Sequence, residues 1–382
     1  MRDTLHMNPS HPSTEYGIPI RNLWHMLLYA WNEVPGSAVR GWAWETVDDA
    51  PTLDALLGSV LMQLMQQRLR IGLGHDYVAE QRALRGIRGR IAFGETIRQR
   101  AMEQGRVVCE VYGYNANSLD NQIVRSTLAR LMLVGHFGPD PAAAKEIQQK
   151  LRRQVRDLDG IDLIDLTPER IQRQLMKCRD HDYRLMLAIC DLIVQRTMPT
   201  GPEGRSTSIV PVVDRELLVL YRVYERFVTN FYRLHLKGWE VSAQKRLEWH
   251  TPEGSERLPM MVPDLILRDK STGQIIILDT KFTAHSLVEN RWGKPVYDSS
   301  HLYQIYAYLK SQEDVSEAHR VASGILLYPA VHDRLSDRTR LQGHIIRIES
   351  LDLAAPWQDV ERQLLELVTP ALPPSPEGKI RK

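Results

Sequence analysis

Cysteine is scarce in this chain, three residues in 382, and none sits in a C-x-x-C pair. Cys109, Cys178 and Cys190 therefore offer neither a disulfide framework nor a zinc site, and they suit a reducing compartment. Long apolar runs are missing too. No stretch approaches the roughly 18 residues a membrane span needs. The opening MRDTLHMNPSHPSTEYG has no apolar core of a secretory signal. The expectation is a soluble, cytoplasmic protein without a membrane partner. Charge imbalance is also lacking: the formal net charge is +2, so a nucleic-acid role must rest on local clusters. No G-x-x-x-x-G-K-[ST] loop occurs, so the chain is not expected to bind or hydrolyse nucleotide itself. Paired zinc ligands of a base-reading module are absent as well.

What is present is an ordinary globular composition, 43% hydrophobic and 25% charged, with enough length for two domains. Residues 1–16 read as disordered. From Pro19, the spacing of Leu23, Met26, Leu27, Ala30 and Trp31 predicts a first helix, and LDALLGSVLMQLMQQRLRIG a second. YVAEQRA, IRGRIAF and RVVCEVYGY read as strands around a short helix. Four further helices follow before TMPTGPEGRSTS, whose Pro, Gly and hydroxyl residues mark a linker at 197–208. The expected division is a mixed helix and strand domain over 17–205, a second domain over 206–370 and a Pro-rich tail over 371–382. In the second domain a long helix, DRELLVLYRVYERFVTNFYRLHL, precedes strand-like VSAQKRLEW, a hairpin, a loop to about 299, helix HLYQIYAYLKSQ, strands SGILLYP and GHIIRIESL, and a last helix. That order is α/β or α+β, a sheet flanked by helices.

Two sites carry chemistry. Residues 82–100 hold six arginines (Arg82, Arg85, Arg88, Arg90, Arg98, Arg100) against one acid, Glu95; a solvated surface is the plain explanation. The hairpin PDLILRDKSTGQIIILDTKF is more demanding. If Asp269 and Gln274 flank a KSTG turn, antiparallel pairing sets Asp264 opposite Asp279, with Cβ atoms roughly 4.5–5.5 Å apart on one face. Lys281 lies one step further along that face. Two such acids repel unless a cation intervenes, and they suit Mg²⁺, which takes a few carboxylates with water and phosphate. The ammonium would then orient an attacking water. A buried Lys–Asp ion pair remains the structural alternative. Apolar neighbours on both strands weigh against it, because unpaired charge there costs several kcal/mol. Glu225, on the core side of the preceding helix, is a third acid or a partner of Arg222. Gln304 and Tyr308 share a helix face, for function or for packing.

P-D, then D-T-K, then Q-x-x-x-Y resembles the PD-(D/E)xK nucleases. The chain from about 17 to 369 resembles the McrC family, nuclease subunits of McrBC-type modification-dependent restriction systems. The matching stretches include IPIRNLWHMLLYAW, GIRGRIAF, SLDNQIVRSTL, DYRLMLAICDLIV, PDLILRD, ILDTKF, LYQIYAYL and GILLYP. The resemblance implies a restriction-endonuclease-like fold with a central mixed sheet. It implies catalytic Asp264, Asp279 and Lys281, with Glu225 and Gln304 as further members and Asp264, Asp279 and Thr280 as the Mg²⁺ positions. It also implies a McrB-like AAA+ GTPase hexamer that the amino-terminal domain meets and stimulates, Arg85, Arg88 and Arg90 lying in that region, and cleavage of DNA modified at cytosine. The competing readings are a non-catalytic adaptor that activates the motor, and a stand-alone repair nuclease of the same fold.

Overall fold

A computed structural model describes residues 17–32, 50–197, 212–249, 258–282, 287–289, 295–331 and 334–368. The chain forms two units, Ala50–Ile209 and a second made of Met1–Asp49 with Val210–Lys382. The first helix, α1 (Ile20–Ala30), belongs to the second unit, which departs from the expected 17–205 domain. The physical reason lies in its polar residues. α1 is buried almost all round, and Asn22 donates to the carbonyls of Leu353 (2.7 Å) and Ala355 (2.8 Å). His25 stacks on Trp357, and Asn230 donates to the Tyr29 carbonyl. An amphipathic pattern predicts a helix without saying which distant segment satisfies its amides. The expected linker and tail lie largely outside the described residues, as does the expected disordered start.

Ala50–Ile209 contains α2 (Leu53–Ile71), β1 (Asp76–Leu84), β2 (Arg90–Ile91), α3 (Phe93–Arg98), β3 (Val107–Asn115), α4 (Leu119–Val134), α5 (Pro141–Asp157), α6 (Pro168–Lys177) and α7 (His181–Thr197). The side chains of Thr52, Ser118, Asp140 and Thr167 cap α2, α4, α5 and α6 by accepting backbone N–H bonds. The three strands form an antiparallel sheet in the order β1-β3-β2. Val108 and Cys109 anchor it inward, whereas Tyr77, Tyr112 and Tyr114 remain exposed.

The second unit continues from α1 with α8 (Val212–His235), β4 (Trp239–Ala243), β5 (Leu265–Asp269), β6 (Ile275–Thr280), β7 (Leu287–Glu289), β8 (Pro295–Tyr297), α9 (Ser299–Ser311), α10 (Glu317–Arg320), β9 (Ser323–Ala330), β10 (Ser336–Leu341), β11 (His344–Asp352) and α11 (Trp357–Val368). Six strands make one mixed sheet in the order β10-β11-β9-β6-β5-β4; β11, β9 and β6 are parallel neighbours and the remaining pairs antiparallel. Three features differ from expectation, one of them the unforeseen strand β10. The segment read as a loop carries the small β7–β8 pair, and the strand read through VSAQKRLEW stops at Ala243. It stops because Gln244 has φ 51°, a left-handed conformation that breaks the pleat.

Every residue of β6 is buried, as expected of a central strand between two neighbours. α9 packs on the face carrying Ile275 and Ile277 through Ile305, Tyr308 and Leu309. Gly324 on β9 permits that approach: a Cβ there would meet Ile305 Cγ1 at 2.7 Å and Leu309 Cδ1 at 3.0 Å. Gly324→Ala is therefore expected to destabilise the unit by about 1–3 kcal/mol through overpacking. Ile305→Val, which keeps the clashing Cγ1, should not recover the loss, both read by urea unfolding.

Candidate active site

The hairpin register follows from its turn. Asp269 accepts from the Ser271 amide (2.9 Å) and the Ser271 (2.8 Å) and Thr272 (2.7 Å) hydroxyls, while Asp269 N bonds the Gln274 carbonyl (2.9 Å). Gly273, at φ 74°, closes the turn where an L side chain would be strained. With that turn fixed, Leu265 pairs Leu278 and Ile266 pairs Ile277, so the next step sets Asp264 against Asp279. Both acids are buried, at 6% and 2% exposure.

Four elements converge on this pair. From β6, the Thr280 amide (2.7 Å) and hydroxyl (2.6 Å) both donate to Asp264 Oδ2. Lys281 Nζ lies 2.5 Å from Asp279 Oδ2 and donates to Gln304 Oε1 of α9 at 2.7 Å. Gln304 Nε2 in turn donates to the Tyr308 hydroxyl at 2.7 Å, fixing the amide so that its oxygen faces the lysine. From α8 comes Glu225, and between it and Asp264 lies Gln244, whose Nε2 donates to Glu225 Oε1 (2.5 Å) and, at longer range, to Asp264 Oδ1 (3.3 Å).

The electrostatics follow from burial. Asp279 is pushed up to about 6, first by desolvation and then by the Asp264 charge, against the pull of Lys281. Burial likewise raises Asp264, opposed by the Thr280 hydrogen bonds and by Lys281. Glu225 is raised by burial and by Asp264. Burial and these three carboxylates also hold the Tyr221 phenol protonated. Among the described residues, negative charge at the site thus exceeds the ammonium that Lys281 supplies, and a cation would relieve it.

The donor set fits a hard cation with incomplete protein coordination. Among the described residues no three His, Cys, Asp or Glu side chains form a ready metal cage. Two carboxylates remain, Asp279 and Asp264, the latter with only the long Gln244 contact on Oδ1. Mg²⁺ favours such a site, completing its shell with water and phosphate oxygens. The Thr280 hydroxyl is engaged with Asp264, so any ligand role for Thr280 falls to its main-chain carbonyl.

The geometry therefore brings Asp264, Asp279, Thr280, Lys281, Gln304 and Glu225 together in the second unit. Arg85, Arg88 and Arg90 lie elsewhere, exposed around the β1–β2 connection of the other unit. Within that basic stretch Glu95 pairs with Arg98 (2.6 Å), and Arg82 with Glu80 (2.6 Å). Sequence reasoning missed Gln244 and Tyr221. Tyr221 sits one helical turn before Glu225, a spacing that marks the same face; nothing in the residue type at 244 announces a left-handed backbone.

Two outcomes are expected. Because the folded Asp279 titrates near 6 against an ordinary 3.8, protonation favours the folded state. That stabilisation is present at low pH and is lost as pH rises from about 4 to about 6. Asp279→Asn, neutral throughout, should gain on the metal-free native protein by about 3 kcal/mol across that window, read by urea unfolding at stepped pH. Gln244→Ala keeps the left-handed backbone but removes the hydrogen bonds to Glu225 and Asp264, and should destabilise by roughly 1 kcal/mol in the same assay.

The comparisons with known proteins point one way. Residues 6–329 match the family model described as McrBC 5-methylcytosine restriction system component. The type IV methyl-directed restriction enzyme EcoKMcrBC of Escherichia coli (strain K12) is 28% identical over 354 residues, 92% of this chain and 97% of that protein. A chain in the refined half-complex of Thermococcus gammatolerans McrB AAA+ hexamers with bound McrC superposes with a TM-score of 0.51 at 16% identity, covering 92% of this chain and 76% of that one. At that identity the likeness speaks to the fold.

Proposed function

Because this chain belongs to the McrBC family of 5-methylcytosine restriction system components, we propose that it is the DNA-cutting subunit of such a system. The observation that carries the reading is the buried Asp264–Asp279 pair with Lys281 on the same face and 2.5 Å from Asp279. Asp264 and Asp279 would hold a Mg²⁺ ion, which when bound polarises the phosphodiester and stabilises the departing oxygen.

The chain's own groups supply the rest. Thr280, through two hydrogen bonds, orients Asp264 and favours its ionised form against the larger effect of burial. Lys281, aimed by Gln304, presents an ammonium N–H to the attacking water or to the phosphate oxygen where charge develops. Glu225, raised by burial and so a stronger base than an ordinary carboxylate, would take a proton from that water, with Gln244 keeping it beside Asp264. Contact with DNA runs through phosphates and weakens with salt. Base reading belongs to another subunit.

The exposed sheet of Ala50–Ile209 supports a second role, docking on and stimulating an AAA+ GTPase. Tyr77, Tyr112 and Tyr114 are 65–72% exposed on β1 and β3, and Ile87, Phe93 and Ile97 are exposed nearby. Exposed tyrosine beside Arg85, Arg88 and Arg90 is the composition of interface hot spots. Such docking agrees with the Thermococcus gammatolerans assembly, in which McrC is bound to McrB hexamers.

The two roles separate by substitution in the complex reconstituted with the AAA+ partner, GTP, Mg²⁺ and methylated plasmid. Asp279→Ala should lower strand cleavage about 100- to 1,000-fold, the scale of losing electrostatic stabilisation at the reacting phosphate, with GTP turnover unchanged. Unchanged cleavage would show that strands are cut elsewhere and leave the adaptor reading standing. Omitting divalent metal should reproduce the cleavage loss.

A further inference from the structure

Beyond the acid site, the same sheet face carries a second feature. Strand alternation sets Ile266 and Arg268 of β5 on one face, with Asp264 just before the strand, beside Ile277 and Ile275 of β6 and next to Asp279. Past Asp264, that face floors a cleft of about 410 Å³, within the roughly 300–1,000 Å³ of small-ligand sites. The left-handed turn at Gln244 directs the following residues, Lys245 and Arg246, into the cleft's wall. Thus one residue ties the cleft to the acids: its side chain reaches Glu225 and Asp264, and its backbone delivers the cations.

The cations there are uncommitted. The side chains of Lys245, Arg246 and Arg268 make no hydrogen bond or ion pair among the described residues. Glu240 stands opposite Arg268 in the strand register and Glu248 lines the cleft, yet neither closes an ion pair within 4.0 Å among those residues. His319 lies close enough to Arg268 and Lys245 for both charges to oppose its protonation, and its Nδ1 already meets the Ser316 hydroxyl at 2.8 Å. Between the cations the floor is apolar, Ile266 and Ile275. Converging guanidinium and ammonium donors beside apolar surface suit a phosphate ester with its sugar or base laid on the partly exposed Ile266 and on Val315.

We propose that this cleft binds a nucleotide phosphate, held by Lys245, Arg246 and Arg268, as an anchor flanking the acid site. The proposal rests on the nuclease reading for its substrate class. From Asp264 to Arg268 the strand advances four residues, about 13 Å at roughly 3.3 Å each. A DNA strand passes about four phosphates over that length, at roughly 3.4 Å of axis per phosphate. The favoured occupant is therefore a backbone phosphate of the strand being cut, and a free mononucleotide is the other source of the same chemistry.

The test uses the full chain in an Asp279→Asn background, so that bound DNA stays intact. Affinity for a labelled duplex is measured against salt, with and without Lys245→Gln and Arg268→Gln, and guanosine monophosphate is titrated calorimetrically into the same proteins. Both side chains are exposed, so the variants should fold, checked by an unchanged unfolding midpoint. A strand phosphate predicts a salt slope smaller by about one to two and roughly tenfold weaker DNA binding. A free nucleotide predicts monophosphate binding that the substitutions abolish, with the DNA slope intact. If neither changes, the cleft assignment is overturned. Failure of the nuclease reading shows separately, as cutting that survives Asp279→Ala.

Discussion

The second unit is organised around an unfavourable contact: two carboxylates facing each other across β5 and β6, both withdrawn from water. Like charges directly opposite on a sheet destabilise it, and burial adds to that. The surrounding residues answer the repulsion from several directions. Thr280 gives Asp264 two donors, Lys281 gives Asp279 a counter-charge, and Gln244 keeps the third acid in range without an ion pair. Stability is traded here for a pocket of negative potential, the arrangement expected where a site must capture a cation.

Precision at the acids depends on features far from them in sequence. A one-residue slip of the hairpin would turn Asp279 to the opposite face, and the Asp269 turn with Gly273 prevents it from the other end of the strands. Likewise the amide that aims Lys281 depends on how closely α9 approaches β9, which Gly324 allows. Tyr308 completes that chain by orienting Gln304.

What could be read in advance follows from whether the cause is local. Asp264 against Asp279 was legible because turn length alone sets antiparallel register. Helices α2 and α4 to α7 were legible because their caps and apolar spacing are local. The home of α1 was not, since Asn22 finds its acceptors more than 300 residues away. Nor was the break at Gln244, where tertiary contacts hold a non-glycine residue in a left-handed conformation and so create both the acid bridge and the cationic wall. β7, β8 and β10 are short or exposed strands whose apolar signal is weak. The roles of Asp264, Asp279, Lys281, Glu225 and Gln304 came from resemblance as much as from pattern.

A net charge of +2 poses a problem for a protein proposed to cut DNA. Three buried or half-buried acids repel the phosphate they are meant to hydrolyse, and one lysine does not reverse that sign. The repulsion must be met locally, since screening over about 8 Å at physiological salt removes help from distant charges. Lys245, Arg246 and Arg268, without partners among the described residues, lie about 13 Å along the same sheet face, beyond that screening length, so they would act by direct contact with a flanking phosphate and not by offsetting the acids at a distance. Under the proposed reading, the acids alone would repel a phosphate, and a bound metal would reverse that sign. Cutting would then be gated by electrostatics within the unit itself, by the charge at the acids and not by the net charge of the chain.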